Sequence, residues 1–249
     1  MLEVRNISKH FGGLRAVSNA ILSVPEGKIV SLIGPNGAGK TTLFAIISGF
    51  LKPNEGEIIF LGRDISGWQP HQVCQLGLVR TFQIVRPFAN LTVSENIAVG
   101  AHTWIAKRSE AIEKAAHVAG LVGMQDMLEQ PAGDLTIAGR KRLELARALA
   151  TEPKLLLLDE VMAGLNTTEI HEIVEVVRGI RDSGVTILLI EHVMQAVMSL
   201  SDYSYVINQG EMIAEGVPRE VTRDPDVIEA YLGHGAAQRI AAMEARSDA

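Results

Sequence analysis

The stretch Gly34-Pro35-Asn36-Gly37-Ala38-Gly39-Lys40-Thr41-Thr42 constrains this chain more than any other. It fits the pattern GxxxxGK[ST], and its neighbours fit too. Residues 28–33 form an apolar run that reads as a buried strand. Residues 42–49 read as a helix with Leu43, Ile46 and Ile47 on one face. Glycines allow successive backbone N–H groups to turn inward around phosphate oxygens, and a helix N-terminus adds the positive end of its dipole. Asn36, Gly37, Ala38, Gly39 and Thr42 are therefore the expected cradle. Lys40 would reach β- and γ-phosphates, and the Thr41 hydroxyl would ligate Mg²⁺. A glycine-rich strand-to-helix turn that binds nothing is the plain alternative. The complete pattern between strand and helix outweighs it, and a nucleoside triphosphate site is expected.

Along the chain, residues 2–10 and 20–24 alternate as strands do, and so do 57–61 and 78–82, which suggests short antiparallel strands around the nucleotide strand. From 91 to 150 the pattern turns helical. Thr92 and Glu95 have capping-box spacing, and 109–121 and 140–150 are amphipathic. Residues 155–158 and 185–190 are continuous apolar runs of the kind buried on both faces of a sheet. Helices are expected at 70–76, 167–182 and 193–200, and a hairpin over 203–214. The expected organisation is 1–90 as nucleotide core with an antiparallel part, 91–150 as a helical insertion, 151–233 as the core continued, and 234–249 as an Ala- and charge-rich tail.

The 155–158 run leads into Asp159-Glu160. Strand-terminal carboxylates beside a phosphate loop suit Mg²⁺ binding by Asp159 and polarisation of an attacking water by Glu160. A net charge of −6 argues against a nucleic-acid surface. The single cysteine, Cys74, can form no internal disulfide. His10, His71, His102, His117, His171 and His234 show no metal-ligand spacing with it, so no zinc site is expected. The N-terminal residues lack signal-peptide character. No run approaches the roughly 18 apolar residues of a membrane helix. A membrane role would come through a partner.

Between the two phosphate motifs lies Asp134-Leu135-Thr136-Ile137-Ala138-Gly139-Arg140-Lys141-Arg142-Leu143-Glu144-Leu145-Ala146-Arg147-Ala148-Leu149. Here the sequence resembles the ATP-binding subunits of ABC transporters, whose LSGGQ signature opens a helix with a similar ARAL run. The resemblance extends from the first strand to about Gly233. It implies the ABC ATPase fold, an α/β, RecA-like P-loop core with an antiparallel β subdomain and an inserted helical subdomain. It also implies that Gln83 is the Q-loop residue, catalytic and near the metal. His192 matches the switch histidine, Asn166 stands in the D-loop, and Phe11 occupies the place of a ring stacked on adenine.

The signature departs from the general pattern: Ala138 replaces its second glycine and Gly139 its glutamine. Thr136 keeps the hydroxyl, and Ala138 can donate its N–H unless a positive φ is required. Val161 stands where proline often follows, and Asn166 where aspartate is usual. Glu144 and Arg147 are expected to be surface or interface charges.

Residues 78–100 resemble the uptake subfamily for branched-chain and other hydrophobic amino acids, with Arg80-Thr81-Phe82-Gln83 ahead of Phe88 and Asn90-Leu91-Thr92-Val93. That resemblance implies transmembrane permease subunits, a second ATPase subunit, an indirectly linked solute-binding protein, and a place on the cytoplasmic face of the membrane. Lipopolysaccharide export, urea or amide uptake, and a soluble P-loop phosphotransferase remain as alternatives.

Overall fold

The computed structural model describes residues 1–83, 86–233 and Gly235. The strands fall into two sheets. β1 (Leu2–Phe11), β2 (Leu14–Val24), β4 (Glu55–Phe60) and the two-residue β5 (Arg63–Asp64) make an antiparallel sheet in the order β2-β1-β4-β5. The second sheet has the order β10-β9-β3-β8-β7-β6. It contains β3 (Ile29–Ile33), β6 (Leu78–Arg80), β7 (Leu155–Asp159), β8 (Thr186–Ile190), β9 (Tyr203–Asn208) and β10 (Glu211–Gly216). All its pairings are parallel except that of β10 with β9. The antiparallel strands thus form their own layer rather than surrounding β3. The expectation for residues 78–82 is corrected as well: β6 is only three residues long and runs parallel to β7, which lies some 75 positions onward.

The continuous apolar strands explain the layering. Successive side chains of a strand point to opposite faces, so a sheet covered on both sides needs apolar residues throughout. Leu155 and Leu157 of β7 join a core with α1 (Lys40–Ile47) and the antiparallel sheet, where Leu43, Phe44, Leu2, Val4 and Phe60 meet. Leu156 and Leu158 face the other way, into a core filled by the helices. Those helices are α3 (Val93–Ala101), α4 (Arg108–Leu121), α5 (Ile137–Leu149) and α6 (Thr167–Asp182), with α2 (Pro70–Leu76) ahead of β6.

The expected capping box forms at α3, where the Thr92 hydroxyl accepts from Glu95 N–H at 3.1 Å and Glu95 accepts from Thr92 N–H at 3.1 Å. Asn166 and Glu169 make the same reciprocal pair at α6.

Past β8 come α7 (Met194–Leu200), the hairpin β9–β10, and two short helices that the sequence pattern did not suggest, α8 (Pro218–Val221) and α9 (Pro225–Leu232). Each starts with proline at its first position, where the missing N–H costs nothing. Val227 anchors α9 on Ile33, Val197 and Val206, directly behind the start of the phosphate loop. The tail expected over 234–249 lies outside the described residues apart from Gly235. Among the described residues no helix is long and apolar enough to cross a membrane.

Candidate active site

The loop from Gly34 to Gly39 leaves β3 and enters α1, as the motif predicts. Two of its glycines are obligatory on steric grounds. Gly34 has φ +152°, and a Cβ there would stand 2.0 Å from the Ile207 carbonyl oxygen. Gly39 has φ +108°, and its Cβ would stand 2.4 Å from the Ala16 carbonyl oxygen. Both obstacles are backbone of neighbouring strands, so neither can move aside. The turn between β9 and β10 braces the loop, since Gly210 N–H donates to Ala38 O at 2.8 Å. Asn36, Gly37 and Thr41 are exposed, Thr42 is half-buried and Ala38 is buried.

Lys40 is buried and folds back over the loop, donating to the carbonyl oxygens of Gly34 at 2.7 Å and Pro35 at 2.8 Å. Burial pulls its pKa down, while the charges of Glu160 and Asp159 oppose that shift. The lysine stays inside a field set by two carboxylates.

Those carboxylates sit at the end of β7 in different surroundings. Asp159 is 1% exposed, and its Oδ2 pairs with Arg80 Nη2 at 2.7 Å. Its Oδ1 is buried without a partner. Glu160 has φ +51°, a left-handed conformation uncommon for a residue with a side chain and typical of functional sites. Its Oε2 accepts from Gln83 Nε2 at 2.6 Å, and its Oε1 stands 3.7 Å from His192 Nδ1. Lys141, buried on α5, donates to the Glu160 carbonyl oxygen at 3.0 Å and so holds the strained residue from behind.

A cavity of about 1160 Å³ collects these groups: the loop residues, Gln83, Glu160, His192 and Phe11 all line it. Phe11, at the end of β1, is exposed, with Lys9 Nζ 5.2 Å from its ring centroid. Arg15, Gln209 and Tyr231 also line the cavity and were not singled out from the sequence. Tyr231 comes from α9, and burial raises its pKa, opposed by the Gly34 backbone. Nothing local marks these three: Arg15 follows the β1–β2 turn, Gln209 lies in the β9–β10 turn and Tyr231 sits on α9. A second cavity, of about 490 Å³, joins Thr41, Gln83 and Asp159 to Arg80, Glu144 and Arg147.

Comparison with known proteins decides the family. The ABC transporter profile matches residues 17–163, and one for the branched-chain amino acid ATP-binding cassette transporter matches residues 211–237. The chain belongs to the ABC transporter family. Among its relatives is the high-affinity branched-chain amino acid transport ATP-binding protein LivG of Salmonella typhimurium. It is 43% identical over 94% of this chain and 98% of that one. The corresponding protein BraF of Pseudomonas aeruginosa gives the same identity and coverage. Among solved structures, the ADP conformation of MJ1267, an ATP-binding cassette of an ABC transporter, superposes with a TM-score of 0.88. Its identity is 35%, with 94% of this chain and 99% of that one covered.

Within this ABC cassette the signature residues stand apart from the nucleotide cavity. Thr136, Ala138 and Gly139 line neither cavity. Thr136 caps α5, its hydroxyl accepting from Gly139 N–H at 3.1 Å. Ala138 lies within α5 and is not among the residues of positive φ, so the conformational requirement for glycine is absent there. A Cβ at Gly139 would touch Leu135 at 3.3 Å, and the position is buried.

Glu144 and Arg147, expected as surface or interface charges, are half-buried and line the second cavity. Glu144 accepts from Phe82 N–H at 2.5 Å, and burial pushes its carboxyl up despite that bond. Arg147 lies 5.1 Å from the Phe88 ring centroid and donates to Arg86 O. Both tie α5 of the ABC cassette to the segment around Gln83, a link visible only once β6 is placed beside β7.

The donor set of this ABC site also bears on Mg²⁺. Among the described residues no three His, Cys, Asp or Glu side chains cluster as a metal cage. Mg²⁺ usually takes one or two protein oxygens and completes its shell with phosphates and water. The unpartnered Asp159 Oδ1 and the exposed Thr41 hydroxyl share one cavity, and they fit that description.

Proposed function

We propose that this chain is the ATP-hydrolysing subunit of an importer for branched-chain or other hydrophobic amino acids. The observation that carries it is the placement of Glu160. It is strained, braced by Lys141, and held between Gln83 and His192 at the mouth of the phosphate loop. Relatives named for high-affinity branched-chain amino acid transport, and the match over residues 211–237, support the cargo.

In this reading the loop amides of residues 36–42 hold the β- and γ-phosphates. Lys40 exchanges its bonds to Gly34 O and Pro35 O for phosphate oxygens. Phe11 stacks on adenine. Glu160 takes a proton from water as the water oxygen attacks the γ-phosphorus and the bond to the β-phosphate oxygen breaks. His192 and Gln83 orient Glu160 and the water. Thr41 and Asp159, with Gln83 nearby, would hold Mg²⁺, which neutralises charge on the phosphates when bound.

Because Thr136, Ala138 and Gly139 lie outside their own nucleotide cavity, each completes the site of a second ATPase subunit, in a homodimer or a paralogous pair. The hydroxyl, the amides and the start of α5 would face that subunit's γ-phosphate. Permease subunits would hold the pair at the cytoplasmic face of the membrane, and a solute-binding protein would act through them. Residues 1–90, 91–150, 151–233 and 234–249 are the corresponding core, helical insertion, continued core and tail.

Glu160→Gln keeps the shape of the site but cannot take the proton. Light scattering of that variant with ATP, alone and with a paralogous subunit, is expected to show a stable dimer. A monomer under all these conditions would contradict the paired-site reading.

A further inference from the structure

Glu191 ends the β8 side of the site, one residue before His192, and is 1% exposed. The mechanism above gives it no part. A carboxyl removed from water costs several kcal/mol unless it is bonded, so its contacts matter. Its Oε1 accepts from Met162 N–H at 3.0 Å. Its Oε2 is buried without a partner. Burial raises the carboxyl pKa, opposed by the Met162 amide and by His192.

The position of these bonds is telling. The β7–β8 ladder runs up to Asp159 opposite Ile190, and Glu160 N–H still reaches Ile190 O at 3.0 Å. Beyond that the two chains diverge, one toward Asn166 at the start of α6 and the other toward α7. Glu191 supplies the next rung with a side chain in place of a backbone carbonyl. One buried group therefore joins the loop that carries Glu160 to the loop that carries His192.

We propose that Glu191 is a positioning residue that latches the His192 loop to residues 160–166, so that Glu160, His192 and the segment leading to Asn166 move as one body. This rests on the roles proposed above for Glu160 and His192. The latch makes a clear division of effects. The phosphate loop is built on β3 and needs no contact from Glu191, so nucleotide affinity should survive its loss. Turnover should not, because displacement of catalytic groups by about 1 Å can cost on the order of 10²-fold.

The test compares Glu191→Gln, which keeps an acceptor for the Met162 amide, with Glu191→Thr, which is too short to reach Met162. ATP turnover and binding of a fluorescent ATP analogue are measured on the whole chain, with hydrogen exchange at Met162 N–H. The latch predicts turnover lowered about 10- to 100-fold in Glu191→Thr with affinity within about twofold, and recovery to within about threefold in Glu191→Gln. It also predicts faster Met162 exchange only in the Thr variant with wild-type protection kept at the β3 and β7 amides, which separates loss of the latch from poor folding. Unchanged turnover in the Thr variant, equal losses in both variants, or affinity falling in step with turnover would each overturn it. Failure of the underlying reading is seen separately: Glu160→Gln would then keep turnover while wild-type Glu191 is in place.

Discussion

The Arg80–Asp159 pair offers the sharpest perturbation of this site. The two side chains are 7% and 1% exposed and meet at 2.7 Å. Arg80 also lies 6.0 Å from the Phe44 ring centroid and 5.6 Å from that of Phe82. Arg80→Ala leaves the Asp159 carboxylate buried with neither oxygen paired to a cation. Removing one partner of a buried ion pair costs about 3–5 kcal/mol. The cavity of about 490 Å³ beside the pair admits water, so the lower end applies. For a chain of this length each kcal/mol shifts Tm by about 2–4 °C, and about 3 kcal/mol becomes a fall of roughly 6–12 °C. Thermal unfolding followed by circular dichroism without nucleotide measures it directly. Arg80→Met combined with Asp159→Asn removes both charges and should recover most of the loss. Mg²⁺ with ATP should narrow the gap between Arg80→Ala and wild type, because the cation is offered to the carboxylate that lost its guanidinium. A Tm for Arg80→Ala within about 1 °C of wild type would mean that the buried pair contributes no such stability.

Three further outcomes follow from the geometry. Lys40→Ala should weaken ATP binding about 10- to 150-fold by calorimetry, the worth of charge-assisted hydrogen bonds to phosphate, and undiminished affinity would remove the lysine from the site. Thr136→Ala deletes the α5 cap and should cost about 1 kcal/mol in denaturant unfolding while leaving ATP affinity intact; under the proposed pairing with a second subunit, its ATP turnover should fall. For pH, Glu191 has a folded-state pKa raised above its unfolded value, so its ionised form destabilises the fold above that raised pKa, and the penalty fades as pH falls toward the ordinary carboxylate range. Glu191→Gln should therefore raise Tm relative to wild type at pH 8 and leave it unchanged near pH 4; equal shifts at both values would contradict burial as the cause.

Much of the site is legible in the sequence because its chemistry is local. The phosphate loop needs glycines at fixed offsets, and strands covered on both faces need unbroken apolar runs, as at 155–158 and 186–190. Asp159, Glu160 and His192 stand directly at the ends of those runs, so reading the strands placed them. What escaped depends on distant pairing. Three residues at β6 cannot announce that they run parallel to β7. Without that pairing Arg80 has no visible partner and Glu144 no amide to accept from. One signal was available: an arginine at the end of an apolar strand, close before Gln83, calls for a buried carboxylate. Tyr231 gave no such hint, since α9 is brought to the phosphate loop by the packing of Val227 on Ile33, Val197 and Val206.

The proposal that ATP hydrolysis at Glu160 powers uptake of a branched-chain amino acid is open to a transport measurement. The chain is co-purified with its permease and any paralogous ATPase subunit, then reconstituted in vesicles with the solute-binding protein. Uptake of labelled leucine is followed with ATP on the side of the ATPase. ATP-dependent accumulation is expected, and Glu160→Gln should abolish it while ATP remains bound. Accumulation that persists in Glu160→Gln, or a wild-type complex that hydrolyses ATP without moving leucine, isoleucine or valine, would contradict it.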